Sequence, residues 1–214
     1  MPDNPLALVA FVAALSCFAT FFVLNYLVGR GATGDIDRRG IKALRLPSGL
    51  PRGGMSIAPG MRLLTLFGGP VLRYSIAIPA AVALYWIGLP LSALWLVSAL
   101  SSGWVVDGIV KHAFQRKRPT IVPHLARAGG PSFPSGHTLN ASLVFCALAV
   151  AWAPALGPTG FAIALSGAVL LSIAVGFSRV WLGVHWPTDV TAGWLLGTGW
   201  WLGAYAFGGT LLGR

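Results

Sequence analysis

Six stretches of this chain are apolar enough to cross a lipid bilayer, and they constrain its fold more than any other feature. They are Leu6–Val28, Pro70–Gly88, Leu91–Val110, Thr138–Ala153, Thr159–Phe177 and Val190–Gly208, the fourth being the shortest. A crossing helix needs about 20 residues, with a range of about 17 to 25. Charge is scarce: 9% of the 214 residues carry one, against about 25% in a soluble domain. Lipid offers backbone groups no partner, so only helices and closed barrels span it. Unbroken apolar runs, rather than short alternating ones, exclude a barrel. The expected fold is all-α: a polytopic membrane protein with six transmembrane helices, in a single domain over residues 1–214.

The first run differs from a signal peptide. Met1 to Pro5 includes Asp3 and no basic residue, and the apolar stretch exceeds an h-region, so a retained helix is expected. Cys17 and Cys146 fall inside apolar runs, where each is expected to pack as a small hydrophobe with no disulfide and no metal.

Charge concentrates in the loops after the first, third and fifth runs, which share one membrane face if six helices alternate in direction. In the first loop, residues 29–69, Ile36, Ile41, Leu44 and the Met61–Phe67 segment suit short interfacial helices with Arg and Lys toward headgroups. A solvated basic loop near anionic lipid is the alternative. The net charge of +10 is thus a membrane feature. No basic face with interleaved aromatics points to nucleic acid.

The other two charged loops carry chemistry. The third holds Lys111, then Arg118-Pro119, then "PSFPSGHT", in which Ser135, Gly136 and His137 open the fourth run. The fifth reads "SRVWLGVHWPTD", with Arg179, His185 and Asp189. Lys111, Arg118 and Arg179 supply three cations, the Arg forks suited to bidentate phosphate contact. Ser135 stands at an N-cap position, so the first N–H groups of the fourth helix form an anion site. Gly136 lets a ligand approach the backbone. Pro187 suits a first helical position, which puts Asp189 in the first turn, within reach of His185. A carboxylate on one imidazole nitrogen fixes the tautomer and leaves the other as nucleophile or base. His137 is a second titratable group, available as an acid. Together these fit phosphoryl transfer. Taken singly, each cation could be a membrane-edge residue that snorkels. His112, His124, Arg116, Lys117 and Arg127 read as loop or headgroup contacts, and Asp107, one turn before Lys111, as its orienting partner.

In order and spacing, Lys111-x6-Arg118-Pro119, Pro134-Ser135-Gly136-His137 and Ser178-Arg179-x5-His185-x3-Asp189 resemble the three-part signature of the type 2 phosphatidic acid phosphatase (PAP2) family. The resemblance covers the third to sixth runs, and the full set within 111–189 is specific where any one part would be weak. It implies a PAP2-type helical core and an integral-membrane lipid phosphatase. By that resemblance His185 attacks phosphorus to form a phosphohistidine, Asp189 holds it, and His137 protonates the leaving oxygen. Lys111, Arg118, Ser135, Gly136 and Arg179 bind the substrate phosphate.

Metal dependence follows from the acids. Besides Asp107 and Asp189 there are only Asp3, Asp35 and Asp37, no cluster able to hold Mg2+, so no metal and no cofactor are expected. Orientation sets two rules against each other. About a dozen of the 15 Lys and Arg lie on the odd-loop side, with little opposite beyond Arg214, which the positive-inside rule assigns to the cytoplasm. The resemblance places the active site on the periplasmic face of a bacterial inner membrane, and that is the expectation adopted. The expected partners are the bilayer and a membrane lipid phosphate: phosphatidylglycerophosphate, phosphatidic acid or polyprenyl diphosphate. Transfer to an acceptor hydroxyl, or lipid binding or transport without catalysis, are the alternatives. Which lipid, and what oligomeric state, the sequence leaves open.

Overall fold

A computed structural model describes residues 5–212; Asp3 and Arg214 lie outside them. Its helices are α1 (Pro5–Gly29), α2 (Gly34–Ala43), α3 (Ala58–Leu66), α4 (Pro70–Trp86), α5 (Pro90–Ala113), α6 (Gly136–Trp181) and α7 (Pro187–Gly208). The protein is all-α, with only an isolated bridge between Arg45 and Pro51 among the described residues.

The fourth and fifth apolar runs form the two halves of α6. Gly157, at φ 66° and ψ 178°, interrupts them between Pro154 and Pro158. As one straight helix, α6 would hold His137 and Arg179 about 60 Å apart at 1.5 Å per residue. Both line the same cleft, so the chain folds back at Gly157, a backbone conformation open chiefly to glycine. The third and fifth loops consequently emerge on one face.

This is a membrane protein. Among the described residues, α1, α5 and α6 are long and apolar enough to cross a membrane, and the bent pair Met55–Leu66 with Pro70–Trp86, at 45°, would make a fourth. With α6 counted once although its two halves carry the fourth and fifth runs, that count falls short of the expected six. The α4 helix alone has 17 residues, and glycine, threonine and tryptophan dilute the apolar character of α7. The outward faces are apolar, as lipid contact requires: Leu8, Val9, Val12, Leu15 and Phe22 of α1 are all exposed.

The first loop is folded onto the site. The α2 and α3 helices form where its apolar spacing suggests short helices, with Ile41 fully buried and Ile36 exposed.

Two close backbone approaches position the cleft. A side chain at Gly193 or Gly197 would come within 2.7 Å of the Ser135 and Leu139 carbonyls respectively. These glycines form a G-x-x-x-G pair on α7 that admits α6 at backbone distance. Ser135 N–H then reaches the Asp189 carbonyl at 2.9 Å, which ties the two helix N-termini together. Buried Phe133 anchors the intervening loop, stacking on Phe21 of α1 at 5.9 Å and meeting Phe114 edge-on at 5.9 Å.

Candidate active site

Helix α5 delivers Lys111 with its partner one turn earlier. Asp107 Oδ2 accepts from Lys111 Nζ at 2.7 Å, the i, i+4 geometry expected of that pair. Gly136, at the start of α6, faces the ammonium so closely that any Cβ there would collide with Nζ. The glycine thus does more than bare the backbone; it gives Lys111 its place.

Ser135 occupies the N-cap position of α6, but its side chain makes no capping hydrogen bond and it is fully buried. Its hydroxyl accepts from Thr138 Oγ1 at 2.9 Å, and it does not line the cleft. With Ser135 N–H spent on Asp189, the following N–H groups carry the positive end of the helix.

Around His185 the hydrogen bonds fix a tautomer. Arg118 Nη1 lies 3.0 Å from His185 Nε2, and a guanidinium can only donate. The Nε2 lone pair is therefore the acceptor and Nδ1 carries the hydrogen. Nδ1 is 2.9 Å from the Ser132 carbonyl and 3.5 Å from Asp189 Oδ2. Asp189, expected to hold the ring, shares that place with Ser132. Asp189 is the N3 residue of α7, and its Oδ2 must accept the Trp186 N–H at 2.9 Å to close the capping box. The same oxygen takes a short hydrogen bond from the Ser132 hydroxyl. Ser132 thus stands between carboxylate and imidazole, touching both. Burial is the main force pushing the His185 pKa down to about 4, followed by Asp189, which opposes it, and by Arg179 and Arg118, which add to it. At neutral pH the ring is uncharged.

Arg118 is more committed than a plain phosphate ligand. Besides His185 and the Val184 carbonyl at 2.8 Å, it donates to the carbonyls of Gly129, Gly130 and Pro131 at 2.8, 3.2 and 3.3 Å. All five of its N–H groups are engaged, so a bound phosphate would exchange with some of these. Arg179 is 2% exposed. Its Nη1 donates to Thr65 Oγ1 of α3 at 2.6 Å, while its Nε has no partner among the described residues.

Arg116 overturns its reading as a loop or headgroup contact. Its Nη1 donates to Asp189 Oδ1 at 2.7 Å and to Thr188 Oγ1 at 2.8 Å, and its Nη2 to Asp37 Oδ2 at 2.6 Å. Asp37 accepts further from Thr188 N–H at 3.0 Å and Thr188 Oγ1 at 2.8 Å. One arginine therefore locks α2 and α7 together beneath His185. Asp37 and Asp189 are 1% and 0% exposed, and removing one partner of a buried pair typically costs about 3–5 kcal/mol. Arg116→Met is expected to lower stability by several kcal/mol, read as a clear fall in unfolding temperature in detergent. An unchanged melting curve would show that the network carries no weight.

Lys111, Arg118, Gly136, His137, Arg179 and His185 all line one cleft of about 400 Å3. The structure adds Arg73 to it, donating to Asn140 Oδ1 at 2.9 Å and stacked over Tyr74 and Trp104 at 4.7 and 4.8 Å. Among the described residues there is no group of three or more His, Cys, Asp or Glu placed to hold a metal. The arrangement can bind a phosphate on cations and a helix N-terminus, with an unprotonated imidazole nitrogen on one side and a second imidazole in the wall.

The PAP2 superfamily model matches residues 92–211. Phosphatidylglycerophosphatase B of Bacillus subtilis (strain 168) is 36% identical over 96 residues, covering 44% of this chain and 46% of that protein. The undecaprenyl-diphosphatase of Sulfolobus acidocaldarius is 40% identical over 70 residues, 31% of this chain and 29% of its own. The lipid A 1-phosphatase of Rhizobium etli is 33% identical over 131 residues, 56% and 50%. The chain thus spans half or less of these relatives' lengths. The crystal structure of a transmembrane PAP2 type phosphatidylglycerolphosphate phosphatase from Bacillus subtilis superposes with a TM-score of 0.81 at 24% identity, covering 92% of this chain and 96% of that one.

Proposed function

This chain belongs to the PAP2 superfamily, and we propose that it is a metal-independent phosphatase acting on a lipid phosphate or diphosphate in the membrane. One observation carries the reading. The His185 Nε2 lone pair is presented by a fixed tautomer inside a cleft that also gathers Lys111, Arg118, Arg179 and the α6 N-terminus.

The proposed steps are those that the resemblance implies, and the geometry supports them. The phosphate binds with its charge spread over these cations, which is where phosphoryl transfer needs compensation. Arg118 Nη1 passes from His185 Nε2 to a phosphate oxygen, and the freed Nε2 lone pair forms a bond to phosphorus as the bond from phosphorus to the lipid oxygen breaks. The departing electron pair goes to that oxygen, which takes a proton from the His137 imidazolium, the form that the anionic phosphate bound beside it favours. Water then attacks the phosphohistidine, His137 accepts its proton, the P–N bond breaks and His185 is restored. Asp189, Ser132 and Arg116 hold the ring through both halves. The Arg116–Asp189–Ser132 chain makes the cost of reorienting the imidazole high, which favours a positioned nucleophile.

Phosphate-release assays over a panel of detergent-solubilised lipid phosphates test this reading. Orthophosphate is expected from at least one lipid, and in excess EDTA as fully as without it. Loss of activity in chelator with rescue by Mg2+, or label passing to an alcohol with no orthophosphate formed, would contradict it.

We place the cleft on the periplasmic face of a bacterial inner membrane. Lys111, Arg116, Arg118 and Arg179 are engaged in the site, and the remaining basic surplus, most of it in the first loop, is read as serving anionic headgroups. A cysteine placed at Gly129 is expected to react with a membrane-impermeant thiol reagent in intact spheroplasts. Reaction only after lysis would reverse the orientation.

A further inference from the structure

Beside the catalytic cleft lies a second chamber of about 670 Å3, between α3 and the 124–127 stretch of the long loop. His137 and Arg179 form its inner wall and are shared with the cleft, as is Arg127 at the rim. Arg62 of α3 closes the far side, and Leu66, Leu125 and Ala126 give it an apolar lip.

We propose that Arg62 and Arg127 form a second anion subsite, which receives a phosphate on the leaving-group side of the scissile bond. The inference rests on the phosphatase reading above and concerns specificity: these arginines favour a substrate that carries a second phosphate over one that does not.

Charge gives the first argument. The described carboxylates of Asp35, Asp37, Asp107 and Asp189 pair with Arg38, Arg116 and Lys111. None is left for Arg62 or Arg127. Arg127 makes no side-chain hydrogen bond or ion pair among the described residues, and the one bond of Arg62 is from Nε to the Leu125 carbonyl at 2.8 Å. That bond pins the guanidinium across the chamber and leaves both Nη groups for a ligand. Planar guanidinium forks of this kind suit phosphate oxygens.

Position gives the second. His137 separates the two spaces, and in the mechanism it faces the oxygen that leaves. A group beyond His137 therefore belongs to the departing half of the substrate. In a lipid diphosphate that half is the lipid monophosphate, which carries its own charge. In a phosphomonoester of a phosphodiester lipid it is the diester. A simple monophosphate of a lipid alcohol has nothing anionic to place there. The apolar lip suits the start of the chain.

Arg62→Gln is compared with wild type in neutral detergent on a prenyl diphosphate and on the prenyl monophosphate of the same chain. Orthophosphate release gives kcat/KM for each. A charge-assisted hydrogen bond contributes about 1.5–3 kcal/mol, which is roughly 10- to 100-fold in kcat/KM. Arg62→Gln is expected to lose that much on the diphosphate and less than about threefold on the monophosphate, whose turnover also reports that the variant is folded. Equal losses on both, or no loss on either, would overturn the subsite; the latter would leave these arginines as contacts of the anionic bilayer surface. Wild-type protein that releases phosphate from the monophosphate but not the diphosphate would also overturn the subsite, and wild-type protein that releases it from no lipid of the panel would overturn the phosphatase reading, and the subsite with it.

Discussion

His185→Ala is expected to abolish turnover on every substrate, with a loss of at least about 10^3-fold in kcat, because it removes the atom that forms the first bond to phosphorus. The effect should exceed that of removing any single cation, since the others still share the phosphate charge. His185 sits at the junction between α6 and α7 and is 2% exposed. Its replacement opens a small space but leaves the Asp189–Arg116–Asp37 network in place. The variant should therefore fold and still bind a phosphate analogue, and an unchanged melting curve would separate lost chemistry from lost structure. A well-folded His185→Ala protein that releases phosphate at near wild-type rate would remove the nucleophile from the mechanism.

Much of this site was legible because its signals are local. The Asp107–Lys111 pair is an i, i+4 helix contact. Pro187 and Asp189 mark a helix start that the structure closes as a capping box. The fold-back of α6 could be anticipated as a short Pro-bounded connection, though not as one residue, Gly157, inside an otherwise continuous helix. What stayed hidden is long-range and polar. Arg116 meets Asp37 across 79 positions, and Arg179 meets Thr65 across 114; no periodicity links such residues. Asp37 did carry a clue, as one of five acids in a chain of net charge +10, set in a loop otherwise rich in Arg and Lys. A buried carboxylate needs a partner, and the unclaimed cations of the third loop were the candidates. Ser132 gave no signal at all. Its role depends on the Asp189 carboxylate being turned back to cap α7, which leaves room for a hydroxyl and a carbonyl from the loop to reach the carboxylate and the imidazole.

The division of labour between the two histidines is the centre of the account. His185 presents a lone pair and has its other nitrogen held by Ser132 and Asp189, whereas His137 opens α6 between the cleft and the second chamber. The measurement that tests this most directly compares wild type, His137→Ala and His185→Ala on two leaving groups, a lipid alcohol and p-nitrophenolate. An alkoxide must be protonated as it leaves, and general acid catalysis of that kind contributes about 10^2- to 10^4-fold; nitrophenolate leaves as a stable anion. His137→Ala is predicted to lose that factor on the lipid phosphate and less than about tenfold on p-nitrophenyl phosphate, while His185→Ala loses activity equally on both. If His137→Ala falls by the same factor on the two substrates, His137 is not the general acid and the assignment of roles is wrong.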